Sequence, residues 1–217
     1  MIGFYDYTVI LTYCGLFSSL MGIVLALNGN FSLAVICMGI SLFCDTFDGK
    51  VARGKKNRTE RECAFGVQID SLCDVISFGV FPAVFCYMLG ASRKLDLLLI
   101  VGYCLCCVIR LGYFNVLAMD ANEEKGIYHG LPVVCMSVLM PLVYFVHSMV
   151  PDMLGLWLIR ATLIVFGFLY IYDFKVKKPG IVTLAIMCLI FWAPTAKCWH
   201  PRVRVPWPRS LYPVSGS

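Results

Sequence analysis

The sequence predicts an all-α protein, a polytopic bundle of transmembrane helices. Its 217 residues are 60% hydrophobic and 14% charged, and the mean hydropathy is +0.81. An ordinary soluble domain carries about 25% charged residues and fewer apolar ones. The apolar residues here are also gathered into runs of about 20, the length at which a helix crosses the hydrocarbon core. These observations exclude a soluble globular domain and favour a bilayer protein.

Six apolar runs follow one another along the chain, with a shorter seventh. Turn-forming residues separate the first two runs, at Asn28, Gly29 and Asn30. We predict spans at residues 8–27, 31–44, 67–89, 97–117, 131–149 and 153–171, and a possible short one at 181–193. Arg160 lies within the sixth span, and its long side chain is expected to reach the outer headgroups.

One membrane domain and a tail are predicted. Residues 1–193 contain every apolar run and no Gly/Ser linker. Residues 194–217 are rich in proline, arginine and tryptophan, a composition that cannot continue a helix. The tail is expected to be disordered or to lie on the lipid headgroups.

Positive charge marks the side of the membrane on which the loops lie. Basic residues are concentrated between spans two and three and directly after span six: Lys50, Arg53, Lys55, Lys56, Arg58, Arg61, Lys175, Lys177 and Lys178. The positive-inside rule places both loops, and with them the N-terminus, in the cytoplasm. In a multi-pass protein of the cell membrane, the net charge of +5 indicates contact with anionic membrane lipids and not with nucleic acid.

Four aspartates interrupt the apolar chain at the adjoining ends of spans two and three. Asp45 and Asp48 are three residues apart and Asp70 and Asp74 are four apart, so each pair shares one face of its helix. Because span two runs inward and span three outward, the two pairs meet at the cytoplasmic side. A carboxylate at the centre of a membrane helix costs about 3 kcal/mol on insertion scales. Mg²⁺ or Mn²⁺ would compensate this cost and leave positions for water and a substrate phosphate.

Small and cationic residues flank the aspartates. Gly49 follows the first pair and Gly66 lies one turn before Asp70, so a bulky ligand can approach the backbone beside both pairs. Ala52 extends this strip of small residues. Arg53 offers a planar cationic fork that suits a phosphate.

The residues alone leave three interpretations open. The first is a metal-dependent phosphate site, and the second is a transport path for divalent cations through the same carboxylates. The third is a structural network in which Lys50, Arg53 and Arg110 neutralise the aspartates. The glycines favour the first interpretation, because a cation path needs no gap for a bulky ligand.

The order of these residues resembles the motif of the CDP-alcohol phosphatidyltransferase family. The sequence reads Asp45-Thr-Phe-Asp48-Gly49-Lys-Val-Ala52-Arg53, then Gly66-Val-Gln-Ile-Asp70-Ser-Leu-Cys-Asp74. The family motif is D-x-x-D-G-x-x-A-R, a spacer and G-x-x-x-D-x-x-x-D, and every fixed residue is present. The spacer here has twelve residues, where the family commonly has about eight, a difference that a surface loop tolerates.

The resemblance implies an activity and a role for each motif residue. Members of the family transfer the phosphatidyl group of a CDP-linked lipid to an alcohol, release CMP, and often form homodimers. By this resemblance Asp45, Asp48 and Asp70 hold two ions of Mg²⁺ or Mn²⁺, while Asp74 completes the metal site and acts as the general base. Arg53 would bind the diphosphate, and Gly49, Ala52 and Gly66 would make room for the cytidine.

Three further blocks resemble the branch of the family that uses serine. They are Asp70-Ser-Leu-Cys-Asp74-Val-Ile-Ser77-Phe-Gly-Val-Phe-Pro82, Arg110-Leu-Gly-Tyr-Phe-Asn115 and Tyr128-His-Gly130-Leu-Pro132. They imply CDP-diacylglycerol as donor and L-serine as acceptor, with Ser77, Arg110 and Asn115 binding substrate. The pair Gly112-Tyr113 departs from the small-then-basic pair of that branch. Glycerol 3-phosphate and inositol are the alternative acceptors.

Overall fold

The computed structural model describes residues 7–54, 59–119 and 127–177 of the chain. They form seven α-helices, a π-helical segment at Val75–Val80 and a pair of short antiparallel strands. The helices are α1 Tyr7–Leu27, α2 Phe31–Gly54, α3 Glu60–Asp74, α4 Phe81–Met88, α5 Lys94–Met119, α6 Cys135–Met149 and α7 Asp152–Ile171, and the strands are β1 Ile127–His129 and β2 Lys175–Lys177.

The predicted all-α class is confirmed, and the chain is an integral membrane protein. Within the described residues, five segments are long and apolar enough to cross a bilayer: Val9–Leu27, Phe31–Gly49, Glu60–Met88, Lys94–Leu117 and Asp152–Ile171. The shorter apolar helix Cys135–Met149 corresponds to the predicted fifth span, which begins four residues later than predicted. The possible seventh span at 181–193 and the tail at 194–217 lie outside the described residues.

The second predicted span ends too early and the third begins too late. Helix α2 continues through Asp45 and Asp48 to Gly54, and α3 already begins at Glu60. A carboxylate ends an apolar run, but it does not end a helix, because the backbone hydrogen bonds continue past it. The Thr59 hydroxyl accepts a hydrogen bond from the Glu62 amide, and the Glu62 carboxylate accepts one from the Thr59 amide. This capping box fixes the start of α3.

The chain widens into a π-helical turn directly after Asp74. Pro82 has no N–H, so the carbonyl of Phe78 lacks the donor that an α-helix would supply. The Tyr103 hydroxyl of α5 donates to that carbonyl instead, at 2.6 Å. This hydrogen bond connects the third span to α5. Ser77 and Phe78 lie within the π-helical turn, which directly follows Asp74.

Small residues allow α1 to approach its neighbours closely. Helix α1 packs most extensively on α2 and also contacts α3 and α4. At Gly22, an added Cβ would lie 2.9 Å from Cys37 Cβ and would overlap the ring of Phe81. Close approach at small residues is a common way for membrane helices to associate, because lipid provides little hydrophobic drive between them.

An ion pair holds Arg160 within the fold. Its side chain is buried, and Nε donates to Asp96 Oδ1 at 2.6 Å. The guanidinium also lies 5.1 Å from the centre of the Trp157 ring. Asp96 is fully buried at the start of α5, where the Arg93 amide also donates to it. Because a buried carboxylate needs a partner, the arginine turns inward and joins α7 to α5.

Candidate metal centre

The four aspartates predicted from the sequence do converge. Carboxylate oxygens of Asp45, Asp70 and Asp74 all lie within 4.8 Å of one another. The Asp45 and Asp74 carboxylates contact each other, as do those of Asp48 and Asp70. In each of these two contacts, one aspartate belongs to α2 and the other to α3. The cluster therefore depends on how the two helices pack.

A hydroxyl group on a third helix orients Asp48. The Thr12 hydroxyl on α1 donates to Asp48 Oδ2 at 2.8 Å, and both side chains are buried. This bond holds one oxygen of Asp48 and restricts the rotation of the carboxylate. Helix α1 therefore takes part in the acidic centre, although it carries none of the aspartates.

The donor set fits a hard divalent cation. Mg²⁺ binds oxygen at about 2.0–2.1 Å, so two ligands on opposite sides of one ion lie roughly 4.2 Å apart. The spacing of at most 4.8 Å is close to that value. Asp70 Oδ1 is buried and has no hydrogen-bond partner within the described residues, as expected of an oxygen that is positioned to bind a cation. An acidic cluster able to bind a metal is therefore present.

A small cleft opens beside the aspartates. Helices α1 and α2, the end of α3 and the π-helical segment form its walls, and the lining residues are Thr12, Gly15, Leu16, Ser41, Asp45, Asp48, Cys73, Asp74, Ser77 and Phe78. Among the predicted substrate-binding residues whose side chains the structure describes, Ser77 lines this cleft. The described side chains that line the cleft are hydroxylic, acidic or apolar, and none of them is cationic.

The small and cationic residues of the motif lie on the helix turns adjoining the aspartates. Gly49 directly follows Asp48 on α2, and Gly66 lies one turn before Asp70 on α3. Ala52 and Arg53 belong to the last turn of α2. The side chains of these last two residues lie outside the described part, so their roles stay predictions.

Arg110 packs against the loop that precedes α6. It is buried on α5, its guanidinium lies 5.1 Å from the centre of the Phe114 ring, and Nε donates to the Leu131 carbonyl at 3.4 Å. Gly130 has a φ of +75°, and an added Cβ there would lie 3.4 Å from Arg110 Nε. The positive φ favours glycine at this position, next to the arginine.

Asn115 connects α5 to the third span. The Ser71 hydroxyl donates to Asn115 Oδ1 at 2.6 Å, so the asparagine lies beside the helix turn that carries Asp70. Neither Asn115 nor Arg110 lines the cleft. Substrate binding by these two residues stays a prediction.

Sequence reasoning missed three residues at the centre. Thr12, Ser19 and Ser41 lie in apolar helices, where a hydroxyl group is unremarkable in a sequence. The spacing offers one signal, since Ser41 precedes Asp45 by four residues and therefore shares its helix face. No comparable signal marks Thr12 or Ser19, whose partners are more than 20 residues away.

The centre matches a known family. The family model for CDP-alcohol phosphatidyltransferase matches residues 8–168, which include all four aspartates and well over half of the chain. The chain belongs to the CDP-alcohol phosphatidyltransferase family. The resemblance predicted from the motif is therefore confirmed.

Individual members of the family share about a third of their aligned residues with the chain. A CDP-diacylglycerol–serine O-phosphatidyltransferase of Methanocaldococcus jannaschii is 34% identical over 82% of this chain and 88% of its own length. An archaetidylserine synthase of Methanothermobacter thermautotrophicus is 35% identical, and the match covers 56% of this chain and about half, 51%, of that protein. A CDP-diacylglycerol–serine O-phosphatidyltransferase of Saccharomyces cerevisiae is 37% identical over 41% of this chain and 32% of its own length.

Proposed function

We propose that the protein is a phosphatidylserine synthase, which transfers the phosphatidyl group of CDP-diacylglycerol to the hydroxyl group of L-serine and releases CMP. The observation that carries this proposal is the convergence of the four motif aspartates beside a cleft within the membrane domain. The names of the relatives support serine as the acceptor.

The reaction exchanges one phosphate ester for another. The serine oxygen forms a bond to the phosphorus that carries diacylglycerol, and the bond from that phosphorus to the CMP oxygen breaks. CMP leaves with the electron pair, and the serine proton passes to Asp74, which lies at the cleft beside Asp45. Thr12 keeps Asp48 oriented throughout.

Two ions of Mg²⁺ or Mn²⁺, when bound by Asp45, Asp48, Asp70 and Asp74, would offset charge on the diphosphate and on the leaving CMP oxygen. Arg53 contributes a cation to the same diphosphate, and Gly49, Ala52 and Gly66 leave space for the cytidine. The close spacing of the carboxylates supports this role, because bound cations would offset the mutual repulsion of the ionised groups.

The enzyme is oriented with the acidic centre and the N-terminus toward the cytoplasm of a cell membrane, in agreement with the basic loop after α2. It forms a homodimer through its membrane helices. Helix α5 is a candidate for the contact, since 22% of its span is buried within the fold, against 39–50% for the other four long spans.

An assay of the purified protein tests the reaction. CMP release from CDP-diacylglycerol should require both L-serine and Mn²⁺ or Mg²⁺, and phosphatidylserine should form in equal amount. Release that depends on glycerol 3-phosphate or inositol would reassign the acceptor. Flux of divalent cations into proteoliposomes without CMP release would instead favour the transport interpretation.

Replacing Arg110 with alanine should raise the KM for serine roughly 10- to 100-fold, because a hydrogen bond to a charged group contributes about 1.5–3 kcal/mol. We assign Arg110 to the carboxylate of L-serine, so the KM for CDP-diacylglycerol should change much less. Steady-state kinetics with each substrate varied in turn measures both values.

Lys94→Ala serves as the matched control, because Lys94 is an exposed cation at the opposite end of the same helix. Both KM values should stay at the wild-type level in this variant. An unchanged serine KM in Arg110→Ala would restrict Arg110 to supporting the loop at Gly130 and Leu131.

A further inference from the structure

Three buried serines meet at the floor of the cleft. Ser19 Oγ on α1 lies 2.7 Å from Ser41 Oγ on α2 and 2.8 Å from Ser77 Oγ in the π-helical segment. We call Ser19, Ser41 and Ser77 the hydroxyl triad. All three side chains are at least 97% buried, and Ser41 and Ser77 line the cleft.

The hydroxyl triad carries one more hydroxyl proton than its two internal hydrogen bonds require. Three hydroxyl groups carry three protons, and the two contacts within the triad consume two of them. If Ser19 donates to one neighbour and accepts from the other, the remaining proton lies on Ser41 or on Ser77. Both of those residues line the cleft, so the triad can offer a hydrogen-bond donor to a ligand there.

The triad lies deeper in the membrane than the acidic centre. Ser41 precedes Asp45 by four residues on α2, about 6 Å along the helix axis. On α1, Ser19 follows Thr12 by seven residues, and Thr12 contacts Asp48. Both helices therefore place the triad near the middle of their spans, farther from the helix ends than the carboxylates.

The position of the triad along the helices determines which part of the substrate lies beside it. With the diphosphate at the aspartates, the nucleotide lies toward Gly49 and Gly66, and the glycerol with its two acyl chains lies on the apolar side. The first hydrogen-bond acceptors on that side are the ester oxygens of the lipid. The neighbouring lining residues Leu16 and Phe78 are apolar, as a lipid requires.

The lining also argues against the amino-acid acceptor at this position. The carboxylate of serine needs a cation or several donors, and the described side chains that line the cleft include no lysine, arginine or histidine. A neutral carbonyl oxygen needs one donor, which is what the triad can supply.

We infer that the hydroxyl triad is a subsite that recognises the acyl-ester carbonyl of the CDP-linked lipid. This inference rests on the proposed function. The protein should therefore distinguish ester-linked from ether-linked substrates, because an ether-linked lipid has the same glycerol backbone but no carbonyl oxygen.

Displacement of labelled CDP from the purified protein with Mn²⁺ tests the inference without any alcohol present. Wild-type protein should bind CDP-diacylglycerol roughly fivefold more tightly than CDP-dialkylglycerol of equal chain length, as expected for one hydrogen bond. The double variant Ser41→Ala/Ser77→Ala should bind the two lipids equally, whereas its affinity for CDP itself should stay at the wild-type level.

Ser137→Ala is the matched control, because Ser137 is fully buried on α6 and does not line the cleft. This variant should keep the fivefold preference. Equal binding of the two lipids by wild-type protein would overturn the inference, whatever the variants do. The inference would also be overturned if the double variant still bound the ester-linked lipid more tightly than the ether-linked one. The same holds if the double variant had a raised KM for serine and an unchanged lipid preference.

Failure of the proposed function can be told apart from failure of this inference. If CMP release does not depend on serine, the acceptor assignment fails, but the lipid-binding comparison is unaffected. If CMP release depends on serine and the two lipids bind equally, the proposed function stands and the subsite does not.

Discussion

Asp74→Asn should lower kcat for CMP release by about 10²–10⁴-fold, the usual contribution of a general base. Asparagine has nearly the same size and keeps one carbonyl oxygen, but it cannot take up the proton of the attacking hydroxyl. The affinity for CDP should therefore fall much less than kcat does. Single-turnover kinetics and CDP titration in the presence of Mn²⁺ measure the two quantities separately.

The position of Asp74 makes this experiment informative. Its carboxylate contacts that of Asp45 and lines the cleft, so it can serve as a metal ligand, as a base, or as both. A loss of Mn²⁺ affinity in proportion to the loss of kcat would make Asp74 a ligand alone. If Asp74→Asn had the same kcat as the wild type, Asp74 would have no role in the chemical step.

Asp152→Asn supplies the control for the same chemical change. Asp152 is exposed in the first turn of α7, and it is not among the residues that line the cleft. Its replacement should leave kcat and the affinity for CDP at their wild-type values. A matching loss in this control would show that the assay reports altered solubility or folding.

Gly22→Ala should destabilise the fold by about 1–3 kcal/mol, the usual cost of overpacking a well-packed core. The added methyl group would overlap the ring of Phe81 and lie 2.9 Å from Cys37 Cβ. Phe81 is fully buried at the start of α4, so its ring has little space in which to turn. Unfolding of the protein in mixed detergent micelles measures the free-energy difference.

Gly102→Ala is the corresponding control on α5. No atom lies within 4 Å of an added Cβ at Gly102, so the methyl group meets no obstacle. Alanine is favoured over glycine within a helix by about 1 kcal/mol, and the variant should be as stable as the wild type or more stable. Equal stability of Gly22→Ala and Gly102→Ala would mean that α1 and α4 can separate without cost.

The membrane-spanning helices and the acidic centre could be predicted from the sequence for local reasons. Apolar runs of about 20 residues predict spans because a helix of that length matches the bilayer. The spacings of Asp45 with Asp48 and of Asp70 with Asp74 place each pair on one helix face. Because consecutive spans run in opposite directions, the loop between them forces both pairs to the same side. The convergence in the structure agrees with each of these steps.

The ends of the helices were less predictable, because hydropathy and helix formation are different properties. Asp45 and Asp48 terminate an apolar run, but they lie well inside α2. In the same way, the helix that carries Asp70 begins at Glu60, where the capping box with Thr59 satisfies the first amides. Polar residues can extend a membrane helix into water, and an apolar window cannot detect this extension.

Partners far apart in the chain could not be predicted. Arg160 was expected at the headgroups, since its side chain is long enough to reach them, but it forms an ion pair with Asp96, 64 residues away. The contacts of Thr12 with Asp48 and of Ser19 with Ser41 and Ser77 likewise join separate helices. Which faces of two helices meet depends on the packing of small residues such as Gly22 against specific rings.

The sequence by itself determined that this protein is a helical membrane protein and which carboxylates form its acidic centre, because both properties follow from the period and length of single helices. Tertiary structure alone decided what surrounds those carboxylates: the Thr12 hydroxyl, the hydroxyl triad and the π-helical turn after Asp74. These features depend on the relative rotation and depth of helices α1, α2 and α3, and close side-chain packing fixes that arrangement.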